Sequence, residues 1–168
     1  MVHDWIGLLH LIAAIVALIC GTLVLWLTKG TKQHKAIGYV YVISMLIVVL
    51  TALGIYRLFK GFGPFHAFAI VSIISLLLGM VPMLKREKTA KAIKMHYSRM
   101  YWSVIGLYAA FAAETLVRLP SAPFWGMVGL SLFAIVVAGG IFFRKYLIIW
   151  ESKFAPGSKN IPSAPKHR

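Results

Sequence analysis

The chain alternates long apolar blocks with short polar punctuation. Five blocks, residues 5–28, 36–59, 65–84, 97–117 and 124–149, are each long enough to cross the bilayer as a helix, which takes about 20 residues for roughly 30 Å of hydrocarbon. Between them stand Lys29-Gly30-Thr31-Lys32, Gly61-Phe62-Gly63-Pro64 and Pro120-Ser121-Ala122-Pro123, the residue types that stop a helix and turn the chain. The pattern predicts an all-α integral membrane helical bundle: five transmembrane helices, a core of four, and a single transmembrane domain over 1–152. Residues 153–168, rich in Pro, Ser and Lys, read as a basic, disordered cytoplasmic tail. No repeat of fixed period is present.

Composition agrees with that pattern. Hydrophobic residues make up 60% of the chain and charged residues 13%, against about 45–50% and 25% in a soluble domain. The net charge of +14 would suit nucleic acid if the cations formed a patch, but they lie between the apolar blocks. That position excludes nucleic acid and makes membrane lipid the expected partner. All Lys and Arg except Arg57, Lys60 and Arg118 fall on one side of the expected topology, so the N-terminus is placed outside and the C-terminus in the cytoplasm of a bacterial inner membrane. The first block has no basic residue before it and no small-residue cleavage site, and reads as a retained span. Cys20 is the sole cysteine, so neither an intrachain disulfide nor a Cys-based metal motif can form.

Few ionisable residues enter the apolar blocks, and those that do are the first candidates for function. His10, His66 and Glu114 are expected at similar depth on the outer side, and His34 and His96 at the cytoplasmic ends of spans two and four. Each of the first four helices therefore begins with a histidine. Since the chain reverses at every span, helices one and three can pair at the outer face and helices two and four at the inner face. Imidazole is the usual axial ligand of b-type haem, which needs no cysteine attachment and fits between facing helices of a bundle. His10 shares a helical stripe with Ala13, Ala14, Ala17 and Gly21, a face that admits a close neighbour. His96 shares one with Met100, Ser103, Leu107, Ala110 and Glu114. The nineteen residues from His66 to Lys85 span about 28 Å of helix, a long gap between two haems. The outer pair is the stronger expectation.

Two resemblances follow. The stretch His10-Leu11-Ile12-Ala13-Ala14, then Gly21, then residues 29–41 (KGTKQHKAIGYVY), resembles a domain-of-unknown-function family of small bacterial multi-pass membrane proteins. The placement of four histidines is similar to that of the diheme b-type transmembrane cytochromes that include ascorbate-dependent ferric reductases. That likeness implies one or two haems b, held by His10 with His66 and by His34 with His96. It also implies Lys35 and Arg99 as contacts for haem propionates or an anionic reductant. The implied function is electron transport across the membrane, as a cytochrome or a ferric or quinone reductase, with quinol or a cytoplasmic reductant as donor.

Other readings stay open beside it. His10, His66 and Glu114, with His34 and His96 as further candidates, supply imidazoles and a carboxylate for zinc, copper or iron without porphyrin. A third reading is a scaffold or transporter subunit whose histidines only pair helices. Glu114, four residues before Arg118, is expected to form a helical ion pair, to carry a proton, or to hydrogen-bond a histidine ligand. Trp5, Trp102 and Trp125 read as an interfacial belt. Gly-x-Ser-x-Gly, His-Glu-x-x-His and phosphate-loop motifs are absent from the chain, so soluble-enzyme chemistry has no foothold. The small residues of spans one and five permit a homo-oligomer.

Overall fold

The structure, a computed structural model, describes residues 2–55, 61–85, 89–119 and 123–154, with side chains described for 5–149 within those ranges. Expectations for Arg57, Lys60, Arg86 and Lys88, and for the tail from 155 onward, lie outside them. Five helices follow in chain order: α1 (Val2–Trp26), α2 (Lys32–Gly54), α3 (Pro64–Leu84), α4 (Ala90–Leu116) and α5 (Phe124–Phe154).

Local chemistry sets the ends. Thr31 and Thr89 cap α2 and α4, their hydroxyls accepting from the His34 and Ala92 backbone N–H groups at 3.2 Å, as short hydroxyl side chains do at helix starts. This is why α4 begins seven residues before the expected apolar block: its first two turns are polar but capped. Pro64 opens α3, where its missing N–H costs nothing. At the other end of α1, Lys29 reaches back and donates to the Val24 and Leu25 carbonyls at 2.6 and 2.8 Å, satisfying acceptors that the last turn leaves open. Gly30 then turns the chain at φ 82, a conformation glycine adopts without a Cβ penalty. The second helix ends at Gly54, and the last part of its expected block, 56–59, lies outside the described residues.

Consecutive helices pack side by side, and α1 also touches α4, so α1–α4 close a ring with α5 outside α4. Among the described residues the diagonal pairs α1/α3 and α2/α4 have no backbone contact. The expected four-helix core with one flanking helix is what forms. Its centre is filled by residues from all four helices, with Ala17, Tyr41, Leu76 and Val104 almost wholly buried and Met45, Met100 and Leu107 beside them. There the Tyr41 hydroxyl and Ser103 Oγ share a hydrogen bond of 2.8 Å across the α2/α4 diagonal. The small stripe of α1 receives this plug: a Cβ on Gly21 would lie 3.0 Å from the Tyr41 ring.

Four of the five helices are apolar and long enough to span a membrane by composition: α1, α2, α3 and α5. The fourth falls short because its first turns carry Lys91, Lys94, His96 and Arg99. Lys91, Lys94 and Arg99 are exposed, while α4 is touched by α1, α3 and α5 and has buried residues from Ala92 to Ala113. The outward faces of the other helices are greasy: Ile12, Leu50, Val71, Phe133 and Ile141 are all more than half exposed. Such a surface is stable against lipid tails, and in water would be a large aggregating patch. The molecule is a membrane helical bundle.

Candidate polar sites at the two ends of the bundle

The plug separates two polar clusters. At the end where α1 starts, the outer end of the expected topology, His10 Nδ1 lies 2.9 Å from Thr51 Oγ1, and the Thr51 hydroxyl lies 2.6 and 3.0 Å from the Ile47 and Val48 carbonyls. A hydroxyl has one proton to give. With that proton on a carbonyl, Thr51 accepts from His10, which fixes the Nδ1–H tautomer and leaves the Nε2 lone pair toward Glu114, whose Oε1 is 3.8 Å away. The second Glu114 oxygen lies 3.8 Å from Arg118, the expected helical pair. His10, Thr51, Glu114 and Arg118 thus form one chain of groups across α1, α2 and α4.

His66 is placed differently. It is almost fully buried, but its Nδ1 accepts from the Gly63 backbone N–H at 3.1 Å and its ring stacks on Phe62 at 5.2 Å. It is a capping residue of α3, and its neutral form carries the proton on Nε2. Among the described residues no group of three or more His, Cys, Asp or Glu side chains could hold a metal ion.

At the inner end, His96 Nδ1 donates to the Gly79 carbonyl at 2.8 Å, leaving Nε2 as a lone pair. Gly79 permits the approach: a Cβ there would meet Arg99 Cβ and Met100 Sδ at 3.1 Å. His34 lies beside the Val24 carbonyl, within electrostatic reach of His96 and Lys29. Its Nδ1 is buried and has no hydrogen-bond partner. Burial pulls the Lys29 ammonium down from its ordinary 10.5 to about 8, since a cation loses solvation there. Lys35 is exposed at the start of α2, and Arg99 is exposed on α4. Of the expected belt, Trp5 and Trp125 are exposed, whereas Trp102 packs against Tyr101 and Phe143 at 5.8 and 5.7 Å.

Sequence reasoning missed Thr51, Tyr41, Ser103 and Gly79. Thr51 and Ser103 carried a signal, as hydroxyls inside apolar blocks. Gly79 carried none, because its role is a carbonyl that only helix packing presents to His96.

Fold and clusters together define a small multi-pass helical membrane protein with histidines at both ends of its core. The chain matches, over residues 7–150, the family described as "Predicted membrane protein (DUF2306)", and it belongs to that family. No curated protein and no solved structure matches it.

Proposed function

We propose that this protein is a transmembrane b-type haem protein that carries electrons across the membrane, with its principal haem site at the inner end between His34 of α2 and His96 of α4. The observation that carries this reading is two imidazoles from diagonal helices within electrostatic reach of each other. One has its Nε2 lone pair left bare by a bond from Nδ1 to the Gly79 carbonyl, and the other, beside the Val24 carbonyl, has a buried Nδ1 with no hydrogen-bond partner. Anchoring of the far ring nitrogen on a backbone carbonyl is what orients a ligating histidine, and an unpaired buried nitrogen is costly unless something else binds it. The residues present fit the group. When bound, haem supplies a one-electron couple whose potential depends on burial and axial ligands. His34 and His96 bind, the Gly79 carbonyl orients, Lys35 and Arg99 offset propionate charge, and the Tyr41–Leu76–Val104 plug keeps water from the middle of the bundle.

The outer pair suits haem less well. His10 offers Nε2, but to Glu114, and His66 uses Nδ1 as an acceptor, the reverse of the tautomer that ligates through Nε2. A bare-metal site has His10 and Glu114 in reach of each other, two ligands where zinc takes at least three from protein.

The test is an absorption spectrum of purified protein expressed with haem precursor, oxidised and then dithionite-reduced, with metal analysis of the same sample. The expected result is a Soret band that shifts on reduction, lost in His34→Ala and His96→Ala and retained in His10→Ala. A featureless spectrum would overturn the reading, as would a haem band indifferent to His96. Stoichiometric metal without porphyrin would transfer the assignment to a metal site.

A further inference from the structure

A cavity of about 340 Å3 opens between α3 and α4, within the range of small-molecule sites, about 300–1,000 Å3. Its walls are of two kinds. Ser72, Ser75 and Ser103 contribute hydroxyls and Arg99 a guanidinium, while Val71 and Ile74 contribute apolar surface and are themselves exposed toward lipid. Trp102, held against Phe143, adds a flat aromatic wall, and Gly106 leaves the floor open.

Depth decides among ligands. Ser103 stands at the midpoint of α4 and Ser72 near the middle of α3. Ser103 lies seven residues, about 10 Å, further along the helix than His96. A phospholipid phosphate resides at the interface and would meet Arg99 but not these serines. A guanidinium near the interface with hydroxyls deeper in the membrane, open sideways to hydrocarbon, suits a lipid-soluble molecule with carbonyl oxygens on a flat ring. Buried donors of this kind need partners when lipid surrounds them.

We propose that this cavity binds the head group of an isoprenoid quinone entering from the bilayer. Arg99 and Ser72 donate to its carbonyl oxygens, Ser75 and Ser103, bonded to the Arg99 carbonyl and to Tyr41, add polar wall, Trp102 packs on the ring, and Val71 and Ile74 line the exit of the tail. Arg99 is shared with the haem reading, but quinone binding is measured without haem, so either assignment can fail by itself.

The experiment is photolabelling of the full chain in neutral-lipid nanodiscs with a photoreactive azidoquinone, in competition with decylubiquinone, the adducts being located by mass spectrometry. Labelling is expected within residues 71–75 and 99–106, and excess decylubiquinone should remove it. Gly106→Leu should lower labelling at least tenfold: a Cβ at Gly106 meets nothing within 4 Å, so the new side chain enters the cavity rather than a packed interface. The doubly substituted Ser72→Ala, Ser75→Ala protein, which changes no volume of consequence, should lose at least threefold and covers the case in which Gly106→Leu misfolds. Labelling scattered over all lipid-facing helices, or undiminished in both variants, would overturn the proposal. So would labelling abolished by phosphatidylglycerol but not by decylubiquinone, which would assign the groove to a phospholipid.

Discussion

The hydrogen bond between Tyr41 and Ser103 joins two helices whose backbones do not come into contact, and its two halves should fail unequally. Tyr41 is fully buried, and Ser103 Oγ at 2.8 Å is its hydroxyl's partner. Removing the phenol oxygen with Tyr41→Phe leaves a serine that can turn to the carbonyl four residues back on its own helix, so the loss should be near the membrane average of about 0.6 kcal/mol. Removing the serine with Ser103→Ala strands a phenol that cannot reach its own backbone. The cost should then approach the penalty for an unsatisfied buried hydroxyl, about 1–3 kcal/mol. The double variant, with both polar groups gone, should be no worse than Tyr41→Phe plus a few tenths, giving a coupling energy of about 0.7–2.7 kcal/mol. Reversible unfolding in mixed micelles titrated with SDS measures all four proteins. Additive effects, or a Tyr41→Phe loss exceeding that of Ser103→Ala, would show that the plug is held by packing alone.

Two further outcomes follow from packing and charge. Gly139→Ala should destabilise the α4/α5 pair by about 1–3 kcal/mol, since its Cβ would fall 2.8 Å from Ile105 Cγ2 beside the Tyr101–Gly139 hydrogen bond. Adding Ile105→Ala should recover part of that loss, whereas Gly129→Ala, with open space around it, should be neutral or slightly stabilising in the same assay. For Lys29, whose folded value is about 8 against an ordinary 10.5, the unfolded chain binds more protons between those values, so stability rises with pH across that window and is flat below it. Melting temperature against pH should show this rise, and Lys29→Met should remove it.

The number of helices and the four-plus-one arrangement were legible because a bilayer demands long apolar runs whatever the tertiary packing. The caps at Thr31 and Thr89 moved the starts of α2 and α4 outward, since hydropathy marks where lipid begins and not where hydrogen bonding does. The sequence also marked the polar residues at each end, and the Glu114–Arg118 pair followed from spacing on one helix. What it did not contain was the rotation of each helix. That rotation turned His10 toward Thr51 and Glu114, bound His66 into its own first turn, and brought His34 and His96 together. Pairing by helix order alone treated the outer and inner sets as equals, and only the hydrogen-bond partners of each ring nitrogen distinguish them.

The central position of α4 bears on how the protein is made. A segment with several cations in its first turns and Glu114 near its end partitions poorly into lipid by itself, since a charged residue at mid-membrane costs about 2.5–3.5 kcal/mol on insertion scales. Its neighbours α3 and α5 are apolar and emerge from the ribosome immediately before and after it. Stable insertion of α4 therefore depends on capture by α3, through the Gly79 contact with Arg99 and Met100, and on enclosure once α5 arrives. Biogenesis of this bundle is a cooperative event in which α5, made after α4, seals the least lipophilic helix.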